Sequence, residues 1–273
     1  MITAQTVAAL YDLTGRVALV TGGAAGIGLA VARQLGVQGA RLIIIDNRAD
    51  ELATAVADLK AAGLAVNGWV GDIAREADVN TLVDRARDEI GVVDILVNNA
   101  GIGSHTLPEL VELSEWQRVM DIDLTGSFLV ARAVARNLIA AGRRGSIVNI
   151  SSIAGTSALG RGNISYSVAK AGVNQMTREM AVEWAGAGIR VNAIQPCQVN
   201  TPGFSLLVQT PGPEGKALLA RMVRGIPLGR LAEAEDIAAA VHFLASDASA
   251  MITGVLMPVD GGNLALNAGG TAR

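Results

Sequence analysis

Seven short runs rich in apolar and β-branched residues recur along this chain, with longer segments of helical period between them, and that alternation limits the fold more than any other feature. The runs are VALV (17–20), RLIIID (41–46), VNGWVGD (66–72), ILVNNA (95–100), SIVNIS (146–151), RVNAIQ (190–195) and VLMPVD (255–260). They lack the apolar/polar alternation expected where one face of a sheet meets water, so strands buried on both faces are implied. Segments such as Ile27 to Leu35, Glu51 to Ala62, Val79 to Ile90 and a long stretch from about Glu115 to Ala141 read as helices. The long stretch opens with Ser114 and Gln117 at capping-box spacing. Repeated strand and helix in this order predict an α/β fold, a doubly wound parallel sheet of about seven strands with right-handed crossovers and helices on both faces.

A length of 273 residues lies near the upper end of what one hydrophobic core organises, so residues 1–273 are expected to form a single domain. Apolar residues make up 51% of the chain. Gly, Asp, Arg or Asn interrupts each apolar stretch before the roughly 18 to 20 residues that a spanning helix requires, so no membrane partner is expected. Residues 1–13 lack the basic start, apolar core and cleavage site of a secretory segment and read as a short extension. Cys197 is the single cysteine and cannot form an internal disulfide, which makes the cytoplasm the default. A net charge of −3 with no basic run argues against a nucleic-acid partner, leaving a small molecule as the expected ligand. Four of the seven prolines fall within residues 200–230, an irregular stretch of the kind that often forms a lid over a site.

Directly after the first run comes TGGAAGIG, residues 21–28. Gly22, Gly26 and Gly28 would permit a tight turn and close approach of a pyrophosphate to helix amides, although a plain strand-to-helix turn uses the same residues. Asp46 ends the second run, 18 residues beyond Gly28, where a carboxylate can accept from both hydroxyls of an adenosine ribose and repel a 2′-phosphate. NAD is thereby favoured over NADP, with Arg48 leaving room for the phosphorylated form. A turn residue or solvated charge is the plainer role for Asp46. Further on, YSVAK (166–170) sets Tyr166 and Lys170 four residues apart, on one helix face. Either this is an exposed polar face, or the cation makes the phenol's proton labile.

Taken together, TGGAAGIG, Asp72 in GDI, NNAG (98–101), Ser151-Ser152, YSVAK, the Pro196 and Thr201 of PCQVNT and the VDGG near the end resemble the short-chain dehydrogenase/reductase family across essentially the whole chain. The resemblance implies one Rossmann-like sheet without a separate substrate domain. It implies Tyr166 as general acid/base, Lys170 as its activator and ribose ligand, and Ser152 as donor to the substrate oxygen, with Ser151 as the alternative serine. On the cofactor side it implies Gly22, Gly26, Ile27 and Gly28 in the turn, Asp72 and Ile73 by the adenine, and Asn98, Ala100 and Gly101 beneath the adenosine. Pro196, Val199 and Thr201 would meet the nicotinamide end, and a homotetramer is the implied assembly. Small residues Ala169, Ala171, Gly172 and Ala181 would let shared helices pack closely.

Two positions depart from the family pattern. Asp123, in IDLTG, stands where the family usually carries an Asn that holds a water leading to the lysine. Its charge would offset part of the lysine's effect on Tyr166. Cys197 replaces the glycine that usually follows the proline, and is expected to pack as a small apolar residue or line the pocket.

A free phenol, with an ordinary pKa near 10, is a poor base at neutral pH, whereas a phenolate stabilised by a neighbouring cation is a competent one. The expected function is therefore an NAD-dependent dehydrogenase for a polar secondary alcohol such as a polyol, sugar or hydroxy acid. Ser104, His105, Arg161, Asn163 and Gln198 offer polar groups near the expected pocket, with His105 and Gln198 taken as substrate contacts. An NADPH-dependent carbonyl or 3-oxoacyl-thioester reductase is the enzymatic alternative, and a non-catalytic nucleotide-binding scaffold is the alternative of another class. Two histidines, His105 and His242, and one cysteine give no metal cluster, and no metal is expected.

Overall fold

The computed structural model describes residues 3–204 and 213–266. All seven apolar runs form strands: β1 Val17–Thr21, β2 Arg41–Asp46, β3 Val66–Val70, β4 Ile95–Asn98, β5 Gly145–Ile150, β6 Ile189–Pro196 and, after the two-residue strands β7 Val199–Asn200 and β8 Ala232–Glu233, β9 Leu256–Val259. They pair in parallel in the order β3-β2-β1-β4-β5-β6-β9, while β7 and β8 pair with each other. The helices are α1 Ala4–Tyr11, α2 Gly26–Val37, α3 Ala49–Ala61, α4 Glu76–Glu89, α5 Leu113–Val119, α6 Ser127–Ala140, α7 Ile164–Trp184, α8 Pro213–Arg224 and α9 Ala234–Ala245.

The missing alternation in the strands has a direct counterpart in packing. Ala18, Val20, Leu42 and Ile44 point to one face, against Val31 and Leu35 of α2 and Ile237 and Val241 of α9. Their neighbours Val17, Leu19, Ile43 and Ile45 point to the other, with Val83 of α4, Val134 of α6 and Met180 of α7. Complete burial of such a side chain contributes about 1.5–3 kcal/mol, and here both sides of the sheet collect it. The strand order reverses direction between β1 and β4, which opens a crevice beyond their carboxyl ends.

Several local expectations are corrected. The third strand stops at Val70 because Asp72 turns the chain, its carboxylate accepting from Ala74 N at 3.0 Å and its carbonyl from Arg75 N at 3.1 Å. The capping box does not form: the helix begins at Leu113 behind Glu112, Ser114 lies within its first turn, and Gln117 donates to Asp121 at 2.7 Å. The stretch expected as one helix is α5 and α6 joined by a π-helical segment, Met120–Gly126. Within α7, Ala169 and Ala181 are buried and Gly172 abuts Leu124, so these small residues already serve packing within the chain, while Ala171 is exposed. Of the lid region, residues 205–212 lie outside the described residues.

The N-terminal extension carries α1, fastened by a buried histidine. His242 Nε2 lies 2.7 Å from the Tyr11 carbonyl and Nδ1 lies 3.4 Å from the Gln34 amide, while its ring meets that of Tyr11 edge-on at 5.6 Å. A neutral ring protonated at Nε2 satisfies both partners. His242→Phe keeps the ring and removes both hydrogen bonds. It is expected to lower stability by about 1–2 kcal/mol and expose residues 3–13 to limited proteolysis, without altering dinucleotide affinity.

Candidate active site

The glycine-rich turn after β1 is closed by backbone contact. Gly22 has φ +64°, and a Cβ there would stand 2.8 Å from Ala100 Cα. At Gly28 a Cβ would lie 2.3 Å from the Gly22 carbonyl oxygen, so the start of α2 sits directly on the turn. Thr21 Oγ1 accepts from Asn99 N and Ala100 N at 3.1 and 3.2 Å, tying this turn to the loop after β4. A dinucleotide fits such a cradle: a side chain at Gly22 would fill the space between the two loops, and the N-terminus of α2 offers unpaired amides to an anion.

Beyond this turn lies a hollow of about 380 Å³ lined by Gly22, Asp46, Asp72, Ile73, Ala100 and Gly101. Asp46 is 4% exposed and gripped by Arg48, whose Nε and Nη2 each donate at 3.0 Å, while Ala24 N donates at 3.1 Å. Burial alone would raise its pKa, but the Arg48 side chain, with the Arg48 and Ala24 amides, holds the carboxyl below its ordinary value. The charge at the end of β2 is therefore fixed.

A larger cleft of about 620 Å³ shares Asn99, Gly101 and Ile102 with that hollow, making one groove across the carboxyl ends of the strands. Its walls carry Ser152, Tyr166, Lys170 and Asp123, together with Ile27, Pro196, Val199 and Thr201, and with His105 and Gln198 on the outer side. Gly26 and Gly28 lie within the turn beside it, Gly26 facing Thr201. Asn98 is not in the groove: its side chain is buried and donates to the Ser127 carbonyl and to Asn149, each at 3.0 Å. Its neighbour Asn99 lines both hollows and donates to the carbonyls of Thr21 and Gly22 at 3.1 and 2.9 Å. Only the doubled Asn of NNAG signals this in the sequence.

The two serines separate by their partners. Ser151 Oγ is turned into the protein, 2.6 Å from Asn174 Oδ1 and 3.1 Å from the Lys170 carbonyl. Ser152 Oγ accepts from Ala154 N at 3.1 Å and faces the cleft with its proton uncommitted among the described residues.

Lys170 is 4% exposed, its Nζ donating to the Ile150 carbonyl at 3.1 Å and lying 5.5 Å from the Tyr166 ring centre. Asp123 is fully buried, Oδ1 accepting from Ile102 N at 2.7 Å and Oδ2 standing 3.2 Å from Lys170 Nζ. Burial would lower the lysine's pKa, but the Asp123 charge and then Tyr166 outweigh it and hold the ammonium above its ordinary value. Asp123 therefore engages the lysine directly, from within the π-helical segment. Cys197 lines the same cleft while packing on the core; burial first, and the Asp260 charge, raise its pKa and keep the thiol protonated at neutral pH.

Residues 22–263 match a family model described as enoyl-(acyl carrier protein) reductase. Curated relatives include a cis-4-hydroxycyclohexanecarboxylate dehydrogenase of Sinomonas cyclohexanicum, 44% identical over 92% of this chain and 97% of that one. A D-threitol dehydrogenase of Mycolicibacterium smegmatis is 40% identical over 92% of this chain and 94% of the other. Among solved structures, a gluconate 5-dehydrogenase from Burkholderia cenocepacia, in complex with NADP and tartrate, superposes with a TM-score of 0.89 at 34% identity, covering 96% of this chain and 100% of that one.

Removing Asp123 would leave Lys170 charged and uncompensated in the interior. Asp123→Ala is expected to cost about 3–5 kcal/mol in urea unfolding at neutral pH, and Asp123→Asn less, because its single amide oxygen can still accept from Lys170 or from Ile102 N, though not from both. The folded-state pKa of Lys170 is raised, so the pair's contribution is fully present below the ordinary lysine value, about 10.4, and fades as pH rises through the folded value. In Asp123→Ala burial is left to depress the lysine, and that variant sheds the buried charge at lower pH than wild type does, so the gap between wild type and Asp123→Ala should be widest near neutral pH and narrow as pH rises toward and beyond about 10.

Proposed function

This chain belongs to the short-chain dehydrogenase/reductase family, whose members act on CH–OH groups with NAD(P), and we propose that it is an NAD-dependent dehydrogenase of polar secondary alcohols. The observation that carries this reading is the single groove joining Asp46, at one end, to Ser152, Tyr166 and Lys170 at the other. The names of the relatives support the substrate class: a ring hydroxy acid in one, a tetritol in another.

Bound in that groove, the nicotinamide would take up or return the hydride. The chain's own groups manage the proton. The Lys170 ammonium favours the phenolate of Tyr166, and that phenolate takes the hydroxyl proton as the carbonyl forms, becoming the neutral phenol. Ser152, a neutral donor, stabilises charge developing on the substrate oxygen. Because Asp123 shares the lysine's charge, the unit of Tyr166, Lys170 and Asp123 carries one negative charge more than a tyrosine and lysine alone. Tyr166→Phe should bind NAD as wild type does and lose at least about 10³-fold in kcat by nicotinamide absorbance, since the proton then has no acceptor. Turnover close to wild type in that variant would overturn the mechanism.

The preference for NAD rests on Asp46, whose fixed charge accepts ribose hydroxyls and opposes a 2′-phosphate. Arg48, half exposed, is the residue that gives NADP a foothold, and an NADPH-dependent reductase is the second reading it permits. Wild type is expected to favour NAD in kcat/KM by at least about tenfold. Asp46→Ala frees Arg48, and should lower the NAD value about 10- to 100-fold while raising that for NADP, in line with one or two charge-assisted hydrogen bonds lost. A wild-type preference for NADP would transfer the assignment to the reductase.

We also propose a homotetramer formed through α5, α6 and α7, whose outer faces expose Leu113, Phe128, Ile139, Val168 and Val182. Sedimentation velocity at micromolar concentration should return about four times the chain's mass, and a monomer would refute it.

A further inference from the structure

Arg161 stands over the cleft with no anionic partner among the described residues. Among the described residues no ion pair includes it and its buried Nε has no hydrogen-bond partner, and it lines the same cleft as Ser152 and Tyr166. The acids near this wall are already engaged. Asp123 faces Lys170, and Glu115 accepts from Ser104 and Thr106, each at 2.8 Å. Among the described residues Asp123 is the single acid lining the cleft, and it offsets Lys170, which leaves Arg161 without a carboxylate of its own. Burial depresses the Arg161 guanidinium from its ordinary value, opposed in part by the charge of Tyr166.

The backbone holds this arginine in place. Gly160 and Gly162 flank it with φ of +64° and +74°, and a Cβ on Gly162 would stand 2.8 Å from the His105 carbonyl carbon. Asn163 Nδ2 donates to the Ser104 carbonyl at 3.2 Å, and a β-bridge joins Asn163 to Thr106. The loop is thus pinned to its neighbour on the C-terminal side of Arg161. A half-buried guanidinium without a counter-charge is unfavourable in the empty cleft and gains when an anion arrives, and its planar fork matches a carboxylate in two hydrogen bonds.

We propose that Arg161 is a carboxylate anchor, and that the substrate is a hydroxy acid whose carboxylate it binds while the secondary hydroxyl meets Tyr166 and Ser152. This rests on the dehydrogenase reading of the Tyr166 site. A carboxylate is favoured over a phosphate monoester because the latter carries nearly two charges at neutral pH, against one unbalanced cation in the cleft.

The test compares wild type, Arg161→Gln and Arg161→Lys on short-chain, sugar-derived and alicyclic hydroxy acids, each paired with its carboxamide, and on phosphorylated alcohols. Calorimetry of cyclohexanecarboxylate binding to the NADH-loaded enzymes runs alongside, and thermal melts check that the variants fold. Wild type should prefer the acid over its amide by about 10²-fold or more in kcat/KM. Arg161→Gln should erase that preference by lowering the acid alone, with amide turnover and NAD affinity kept within about twofold, and Arg161→Lys should restore part of it. Equal use of acid and amide by wild type, equal losses on both in Arg161→Gln, or a preference for phosphorylated alcohols would overturn the anchor. Failure of the dehydrogenase reading would look different: no alcohol would turn over in wild type. Cyclohexanecarboxylate binding would still decide the anchor, supporting it if lost in Arg161→Gln and overturning it if absent or equal in both proteins.

Discussion

The buried contact between Asp123 and Lys170 is the interaction on which the catalytic end of the molecule depends. Through it the π-helical segment, α7, the end of β5 and the loop after β4 meet at one point, because the lysine also reaches the Ile150 carbonyl and the aspartate also holds Ile102 N. Two charges removed from water are costly, and their mutual attraction recovers that cost only when the remaining polar atoms are satisfied. Here one carboxylate oxygen takes an amide, and the ammonium takes a carbonyl. The pair therefore fixes where the lysine sits beneath Tyr166, and it does so without a bridging water.

The same logic of compensated charge runs along the groove. At the ribose end Asp46 is held by Arg48 and Ala24 N. In the middle Asp123 offsets Lys170, and at the outer end Arg161 has no carboxylate to offset it among the described residues. Such an electrostatic profile, neutralised at two stations and positive at the third, orients a ligand by its charge as well as by its shape.

The central strands were legible in the sequence because strands buried on both faces are largely apolar, whereas the edge strands β3 and β9 depart from that expectation, β3 leaving Asn67 and Val70 exposed and β9 being only partly covered. The serine assignment needed the fold. Both residues line the cleft and differ in their partners, the Ser151 hydroxyl being committed to Asn174 while the Ser152 hydroxyl keeps its proton available among the described residues. A similar one-residue ambiguity placed the groove amide at Asn98, whereas the end of β4 turns Asn98 inward and presents Asn99. The capping pattern at Ser114 misled because Glu112 already precedes the first turn, and short-range spacing cannot tell a cap from an interior position. The π-helical segment left no periodic trace of its own, because its seven residues are too few to show a period that differs from that of the helices on either side. That Arg161 lacks a carboxylate partner among the described residues was also beyond the sequence, because it depends on Glu115 and Asp123 being engaged elsewhere.

The π-helical segment has a consequence for how the chain can vary. Its wider turn holds one residue more than an α-helix needs over the same rise, and α6 then continues with Leu129, Val130, Val134 and Leu138 facing the core. Each residue of a helix turns the next by about 100°. Losing a single residue between Met120 and Gly126 would either swing the apolar stripe of α6 away from the sheet, or keep that stripe and turn Asp123 away from its lysine. Point changes away from Asp123 and Gly126 leave this phase intact, so the rest of the segment is open to substitution while the whole of it is closed to any change in length.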